Sequence, residues 1–129
     1  MVLGQLAAPA GQACLVHGDF NKRNLLVRRA VRGWQAAALL DWEFAGAGSP
    51  LADLGSFLRY ERADGPLVEP HFSTGFARAG GSLPPDWRRL ARILDLVALC
   101  ESLSRDQLPE AFVPELVDLE RTSIAEAGA

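Results

Sequence analysis

The sequence predicts an α+β fold in which a small antiparallel β unit is followed by a helical bundle. Three short apolar runs, each of strand length and each ending in a polar or glycine-containing turn, occupy residues 13 to 42. From Ser49 onward, apolar residues instead recur at helical spacing. Strands that precede helices along a chain are typical of an α+β domain with segregated helices.

The β unit is predicted to span residues 13 to 48. Its apolar runs are ACLVH (13–17), NLLVRR (24–29) and WQAAALLDW (34–42). Arg32 and Gly33, between the second run and the third, indicate a hairpin loop. We interpret GAGS (46–49) as a flexible turn, because the lysine of a phosphate-binding glycine-rich loop does not follow it. Residues 1 to 12 show no periodicity and are expected to form a loose lead-in.

Residues 49 to 129 are predicted to be helical. Ser49 and Pro50 are a strong helix start, with serine as the N-cap and proline at the first helical position. This helix is expected to reach about Tyr60 and to be broken by RADGP (62–66). The remaining predicted helices are EPHFSTGFARAGG (69–81), closed by its final glycines, residues 83–105, and residues 113–127. The expected apolar stripe of the 83–105 helix comprises Leu90, Ile93, Leu94, Val97 and Ala98.

Length and composition indicate a single globular domain. The chain has 129 residues, of which 49% are hydrophobic and 22% charged. A formal net charge of -3 argues against a nucleic-acid partner. No run of about 18 apolar residues predicts a membrane helix, and the first residues do not resemble a signal peptide. We therefore expect a cytoplasmic protein with no nucleic-acid or membrane partner.

Four other side chains are expected to pack in the interior. Cys14 and Cys100 lie in apolar segments, so they are predicted to be buried, reduced thiols, and their spacing fits neither a zinc site nor a disulfide framework. Trp34 and Trp87 are predicted to be partly buried packing residues.

Two of the apolar runs lead into ionisable and amide side chains. HGDFNKRN (17–24) follows the first run, and Asp41, Trp42 and Glu43 end the third. Such groups are costly at the ends of buried strands unless something binds them. Phosphoryl transfer needs hard oxygen ligands for Mg²⁺ and a carboxylate that receives or orients the proton of the attacking hydroxyl. Asp19, Asn24 and Asp41 are the residue types that this chemistry requires.

HGDFNKRN, followed by LLDWE (39–43) and SPLADLG (49–55), resembles the catalytic core of the aminoglycoside phosphotransferase and choline-kinase-like family. That family has a protein-kinase-like fold, so the resemblance implies that residues 13 to 129 are its C-terminal lobe. In the family an aspartate often precedes the proline of the third segment, and here Ser49 takes that position. A serine still caps the helix, so this departure is minor.

The resemblance implies a role for each polar residue of these segments. Asp19 would be the catalytic base, and Asn24 and Asp41 would be ligands of Mg²⁺. His17, Glu43 and Asp53 would support the site, His17 by organising the loop, Glu43 through a second metal or a water, and Asp53 by hydrogen bonds to the loop backbone. Lys22 and Arg23 are candidate phosphate contacts. Plain turn residues remain the alternative for Asp19 and Asn24.

The implied activity is ATP- and Mg²⁺-dependent transfer of a phosphoryl group to a hydroxyl of a small molecule, such as an aminoglycoside, an amino alcohol or a sugar. The family's N-terminal lobe supplies a lysine and a nucleotide-covering loop, and we expect this lobe to be absent from the chain. We therefore expect weak activity, or none, from the chain alone. A separate N-lobe chain, or self-association through an exposed face, is the expected protein partner.

Two other functions stay open at this point. One is a catalytically silent module, derived from such a kinase, that binds metal, nucleotide or a partner. The other is a hydrolase that uses Asp19 and Asp41 as acid and base. The acceptor cannot be identified from the sequence, although several acidic residues would either attract a cationic acceptor or form a solvated surface. They are Glu61, Asp64, Glu69, Asp95, Glu101 and Asp106.

Overall fold

Short antiparallel strands come first and helices follow in the computed structural model, which describes residues 13–61, 68–104 and 109–127. The strands are β1 (Cys14–Val16), β2 (Leu25–Ala30), β3 (Gly33–Leu39) and β4 (Gly46–Gly48). The helices are α1 (Pro50–Phe57), α2 (Glu69–Arg78), α3 (Trp87–Leu103) and α4 (Val113–Ala127). The predicted α+β class is therefore correct.

The strands form two separate sheets rather than the single β unit that we expected. β1 pairs with β4, with Leu15 opposite Ala47, and β2 pairs with β3, with Leu25 opposite Leu39. The interpretation of GAGS as a flexible turn is wrong, because Gly46–Gly48 is a strand that pairs with β1 through backbone hydrogen bonds. Such a short strand carries no alternating pattern that a sequence could reveal.

The β2–β3 hairpin turns at the predicted place and is open to solvent. Its turn residues are Val31 and Arg32, and Gly33 begins β3 with a φ of 106°. Trp34 is 68% exposed, so the expectation that it packs in the interior is wrong. The two strands contact mainly each other, and no described helix lies across the hairpin to cover this side chain.

Each of the four predicted helices is found among the described residues, but α1 and α3 are shorter than predicted. The Ser49 hydroxyl accepts the Leu51 N–H at 3.3 Å, which is the predicted N-cap. α1 ends at Phe57 rather than near Tyr60, and α3 begins only after the two prolines at 84 and 85. The predictions for residues 1–12, 62–66 and 105 concern positions outside the described residues.

The hydrophobic core lies between α1 and α3. Its buried members are Leu51, Leu54, Phe57, Leu58, Trp87, Ala91 and Leu94. The helices approach so closely at Gly55 that a Cβ there would collide with the Ala91 carbonyl oxygen. The predicted stripe of α3 is partly wrong, because Ile93 is 38% exposed whereas Asp95 and Leu99 are buried. α3 contacts α1 and also α4, so its buried face is set by two neighbours rather than one.

Both cysteines are exposed, which corrects the prediction of buried thiols. Cys14 lies in the short strand β1, where only Val16 is buried. The Cys100 thiol donates a hydrogen bond to Glu120 Oε1 on α4 at 2.9 Å. This bond, and to a smaller extent the loss of solvent contact, raises the pKa of Cys100.

Candidate functional site

The segment 17–24 forms a tight loop between the two sheets. It ends in a single 3₁₀ turn, Lys22–Asn24, which leads directly into β2. The Asn21 side-chain oxygen caps this turn by accepting the Arg23 N–H at 2.9 Å. The loop therefore has a defined backbone path, and the side chains of Asp19 and Asn24 project from fixed positions.

Asp53, on the first turn of α1, holds the start of the loop. The His17 N–H donates to Asp53 Oδ2 at 2.7 Å, and the Gly18 N–H donates to Oδ1 at 3.0 Å. These are the backbone hydrogen bonds that the resemblance implies for this aspartate. Gly18 has a φ of 82°, and a Cβ there would collide with the Phe44 carbonyl oxygen. Only glycine fits this position without displacing the backbone around it.

His17 links the loop to the end of β3. Its side chain is 2% exposed, and its Nε2 lies 2.7 Å from the Leu40 carbonyl oxygen. Because a carbonyl can only accept, Nε2 carries the proton, and Nδ1 accepts the Asp19 N–H at 3.3 Å. The Trp42 ring packs at 4.8 Å from the imidazole. His17 thus supports the loop and does not face the groove beside Asp19.

Two amides hold the carboxylate of Asp19. Asn21 Nδ2 donates to Oδ1 at 3.1 Å, and Asn24 Nδ2 donates to Oδ2 at 3.2 Å. Asn24 Nδ2 also donates to the Asp19 carbonyl oxygen at 3.0 Å, so its own Oδ1 is turned away from that carbonyl. Asn24 Oδ1 accepts no hydrogen bond from the described residues, and an amide oxygen of this kind is a suitable ligand for a hard cation.

Phe20 anchors the loop in the core. Its ring stacks on Phe57 of α1 at a centroid distance of 4.7 Å and lies 6.0 Å from Phe72 of α2. Aromatic pairs at these distances add stability beyond the area that they bury. The position of Asp19 therefore depends on packing as well as on hydrogen bonds.

The backbone just before Asp41 is hydrogen-bonded to the loop. The Leu40 N–H donates to the Asn24 carbonyl oxygen at 2.8 Å, which joins the end of β3 to the loop. Asp41 follows with a φ of 65°, a left-handed conformation that is costly for a residue other than glycine and occurs often at functional sites. The Trp42 indole N–H closes this turn on the Leu39 carbonyl at 2.8 Å. The carboxylate of Asp41 is exposed and has no hydrogen bond to a described residue.

Glu43 has fewer contacts with the loop than the resemblance implies. It is exposed, and its carboxylate makes no hydrogen bond or ion pair with the described residues. Neither Asp41 nor Glu43 lines the groove or the smaller cavity beside Asp19. The structure thus brings His17, Asp19, Asn24 and Asp53 into one hydrogen-bonded unit and joins Asp41 to it through the backbone.

A groove of about 600 Å³ opens beside Asp19. Asp19, Asn24 and the candidate phosphate contacts Lys22 and Arg23 form one wall. The other wall comes from the end of α1 and from α4, and its polar residues are Ser56, Arg59, Tyr60 and Glu115. A smaller cavity of about 280 Å³ also borders both Asp19 and Arg59. The groove has the size of a small-molecule site.

Sequence reasoning missed several of these residues. Asn21 had a local signal, because an asparagine two residues after an aspartate is placed to bond within a turn. Arg59, Tyr60 and Glu115 had none, because the groove brings together segments that are 55 residues apart in the chain.

No group of three or more His, Cys, Asp and Glu side chains in residues 13–61, 68–104 and 109–127 is arranged to hold a metal ion. Within the same ranges, no helix has the length and apolar character that a membrane crossing requires.

The model of the phosphotransferase enzyme family (APH) matches residues 2–93, which is more than half of the chain. The chain belongs to this family. The match covers the loop, both sheets, α1, α2 and the start of α3, and it ends before α4. Comparison with curated proteins found no match, and neither did comparison with solved structures.

Proposed function

We propose that this protein is the C-terminal lobe of a kinase-like phosphotransferase, which transfers the γ-phosphate of ATP to a hydroxyl of a small molecule. The observation that carries the proposal is the pairing of Asp19 with Asn24. One amide nitrogen orients the carboxylate and the backbone of Asp19, and the amide oxygen is left free for a cation. Asn21 donates a second amide hydrogen bond to the same carboxylate, which restrains its orientation further.

Asp19 is the catalytic base in this proposal. Each carboxylate oxygen has two lone pairs, and the amide bonds from Asn21 and Asn24 use one on each oxygen. The remaining lone pairs can accept the proton of an acceptor hydroxyl that lies in the groove. The two amides fix the orientation of the carboxylate, and fixed geometry is the main contribution of the protein in phosphoryl transfer. His17 and Asp53 act through the loop backbone and are positioning residues.

The chemistry of two side-chain donors suits Mg²⁺. Asn24 Oδ1 and the exposed carboxylate of Asp41 are hard oxygen donors, and their backbones are joined through Leu40. Mg²⁺ often uses only one or two protein ligands and takes the others from phosphate and water. When bound, the ion neutralises charge on the phosphate oxygens. We assign Lys22 and Arg23 to phosphate contact and Glu43 to support through a second metal or a water.

The test is the thermal unfolding of the chain with Mg²⁺ and ATP together, with ATP alone, and with Mg²⁺ alone. A ligand at about 100 times its dissociation constant stabilises a folded protein by about 2.7 kcal/mol. We expect a rise in melting temperature only when both are present, and its loss in Asp41→Asn. The matched control is Asp118→Asn on α4, an exposed aspartate that lines neither cavity. A folded chain with no Mg²⁺-dependent rise, or an equal loss in the control, would contradict the proposal.

The exposed hairpin favours a second candidate function, that of a catalytically silent interaction module. Leu26, Val27 and Trp34 are 47%, 54% and 68% exposed on β2 and β3. Apolar side chains that are exposed together favour association with a partner. A monodisperse, folded chain that does not respond to Mg²⁺ and ATP would support this function over catalysis.

A further inference from the structure

Arg59 lies at the point where the two cavities beside Asp19 meet. It follows the last turn of α1 and lines both the 600 Å³ groove and the 280 Å³ cavity. Sequence reasoning assigned it no role. Its position, charge and restraints together indicate one.

Asp95 holds Arg59 in a single orientation. Arg59 Nε lies 3.1 Å from Asp95 Oδ1, and Nη2 lies 2.8 Å from the same oxygen. The side chain of Asp95 has 0% exposure, and that of Arg59 has 21%. From the same helix as Asp95, Arg92 also donates to the Arg59 carbonyl oxygen at 3.0 Å. The guanidinium has therefore already lost its conformational freedom before any ligand arrives.

The pKa of Arg59 agrees with a permanently charged group. Burial alone would lower this pKa, but the hydrogen bonds and the negative charge of Asp95 outweigh burial, so the pKa is raised. Arg59 Nη1 makes no hydrogen bond with the described residues. Since a guanidinium has five N–H donors, one edge remains available for an anion.

Three of the acidic residues named as candidates for binding a cationic acceptor are already paired, and Glu101 lines only the smaller cavity. Glu61 accepts the backbone N–H groups of Val68 and Glu69, and Glu69 bonds to Arg88 at 2.9 Å. Asp95 accepts hydrogen bonds from the Arg59 guanidinium. Among the described residues that line the groove, the only carboxylate besides Asp19 is Glu115, which already accepts the Tyr60 hydroxyl at 2.9 Å. Lys22, Arg23 and Arg59 line the same groove.

We propose that Arg59 is a specificity-determining residue, which binds an anionic group of the acceptor while Asp19 faces the acceptor hydroxyl. The acceptor class is then a small hydroxyl compound that carries a carboxylate or a phosphate, and not a polyamine such as an aminoglycoside. This inference rests on the proposed function, because it takes Asp19 as the residue that receives the hydroxyl proton. Carboxylate and phosphate are both bound by a fixed guanidinium, and a titration distinguishes them.

The experiment is an NMR titration of the full chain without nucleotide or metal. The probes are glycerate, glycerol 3-phosphate, glycerol and ethanolamine, which share a size and differ in charge. We expect at least one anionic probe to bind about tenfold more tightly than glycerol, with shift changes at residues of the groove. The tighter anion identifies the acceptor group. Equal binding of glycerol and both anions, or tightest binding of ethanolamine, would overturn the proposal.

Variants separate recognition from folding. Arg59→Met/Asp95→Leu replaces the ion pair by apolar side chains and leaves no buried charge unpaired. We expect this variant to bind the anions and glycerol alike. The control is Arg88→Met/Glu69→Leu, which removes an ion pair outside the groove. We expect this control to keep the preference for the anions over glycerol. Loss of the preference in both double variants, or in neither, would overturn the proposal.

A third variant tests the proposal if the Arg59→Met/Asp95→Leu variant does not fold. Arg59→Lys keeps a positive charge beside Asp95 but loses the planar fork, so it is expected to keep a weakened preference for the anions. An unchanged preference in this variant would contradict the role of the free guanidinium edge. Because the titration contains no ATP or Mg²⁺, it remains informative if the Mg²⁺–ATP test fails. If the unmodified chain shows no preference for the anions, the phosphotransferase proposal is not affected.

Discussion

At the scale of single residues, the site depends on groups that restrain Asp19 from several directions. Asn21 and Asn24 bond to its carboxylate, and the His17 ring accepts its backbone N–H. Phe20, the next residue, is stacked in the core. A base restrained in this way loses little entropy when a substrate binds, which is how a protein contributes to phosphoryl transfer.

Gly18 gives a direct test of the loop geometry. We expect Gly18→Ala to lower the free energy of unfolding by more than Gly33→Ala, as measured by urea denaturation. Both glycines have positive φ values, 82° and 106°, so both variants are strained, by about 1–3 kcal/mol each. Only at Gly18 does the new methyl group also collide with the Phe44 carbonyl, whereas it meets no atom within 4 Å at Gly33. Equal losses in the two variants would show that Gly18 has no special constraint.

At the scale of the elements, helix α1 positions both ends of the site. Asp53 on its first turn bonds to the loop, and Arg59 just beyond its last turn lines the groove. The helix packs on α3 through Leu54 and Leu94, with Gly55 at the closest approach. A change in the spacing of these two helices would therefore move both the loop and the groove.

Gly55 and Gly75 form a matched pair for testing this packing. Gly55→Ala is expected to destabilise the protein by about 1–3 kcal/mol, because its methyl group would collide with the Ala91 carbonyl of α3. Gly75→Ala, on α2, meets no atom within 4 Å and is expected to stabilise by about 0.5–1 kcal/mol, since alanine is the better helix former. Thermal unfolding of both variants measures the two effects. Changes of the same sign would contradict this account of the α1–α3 contact.

At the scale of the whole molecule, α4 closes the groove from the C-terminal side. It packs on α3, and its Glu115 accepts the hydroxyl of Tyr60, the residue after Arg59. The groove therefore combines the loop, the end of α1 and the last helix. It exists only when all three have folded together.

The pKa of Tyr60 reports this closure, and Tyr60 is the one tyrosine of the chain. Partial burial, followed by the hydrogen bond to Glu115, raises this pKa above its ordinary value of 10.0. The tyrosinate absorbance of the folded chain is therefore expected to appear at higher pH than that of the chain in denaturant. Glu115→Gln is expected to lower the midpoint, whereas Glu110→Gln, an exposed control, is not.

The same shift sets the sign of the pH dependence of stability. The unfolded chain loses the Tyr60 proton first as the pH rises, so the stabilisation is complete below the unfolded pKa, near 10. It is lost as the pH rises through the folded pKa. Equal midpoints for the folded and the denatured chain would contradict the Tyr60–Glu115 contact.

The sequence by itself determined the features that depend on neighbouring residues. The Ser49 cap and the helical spacing of apolar residues act within a few positions, so the α+β class and the helices could be predicted. The pairing of Asp19 with Asn24 also lies within one loop, and its residues were found from the motif.

Only the tertiary structure decided which distant groups meet. Arg59 and Asp95 are 36 residues apart, and Tyr60 and Glu115 are 55 apart, so no local pattern indicates either pair. The division of the strands into two sheets and the exposure of Trp34, Cys14 and Cys100 likewise depend on which surfaces the helices cover. Burial and long-range pairing are properties of the packed molecule, because they arise only when separate elements exclude water from the same space.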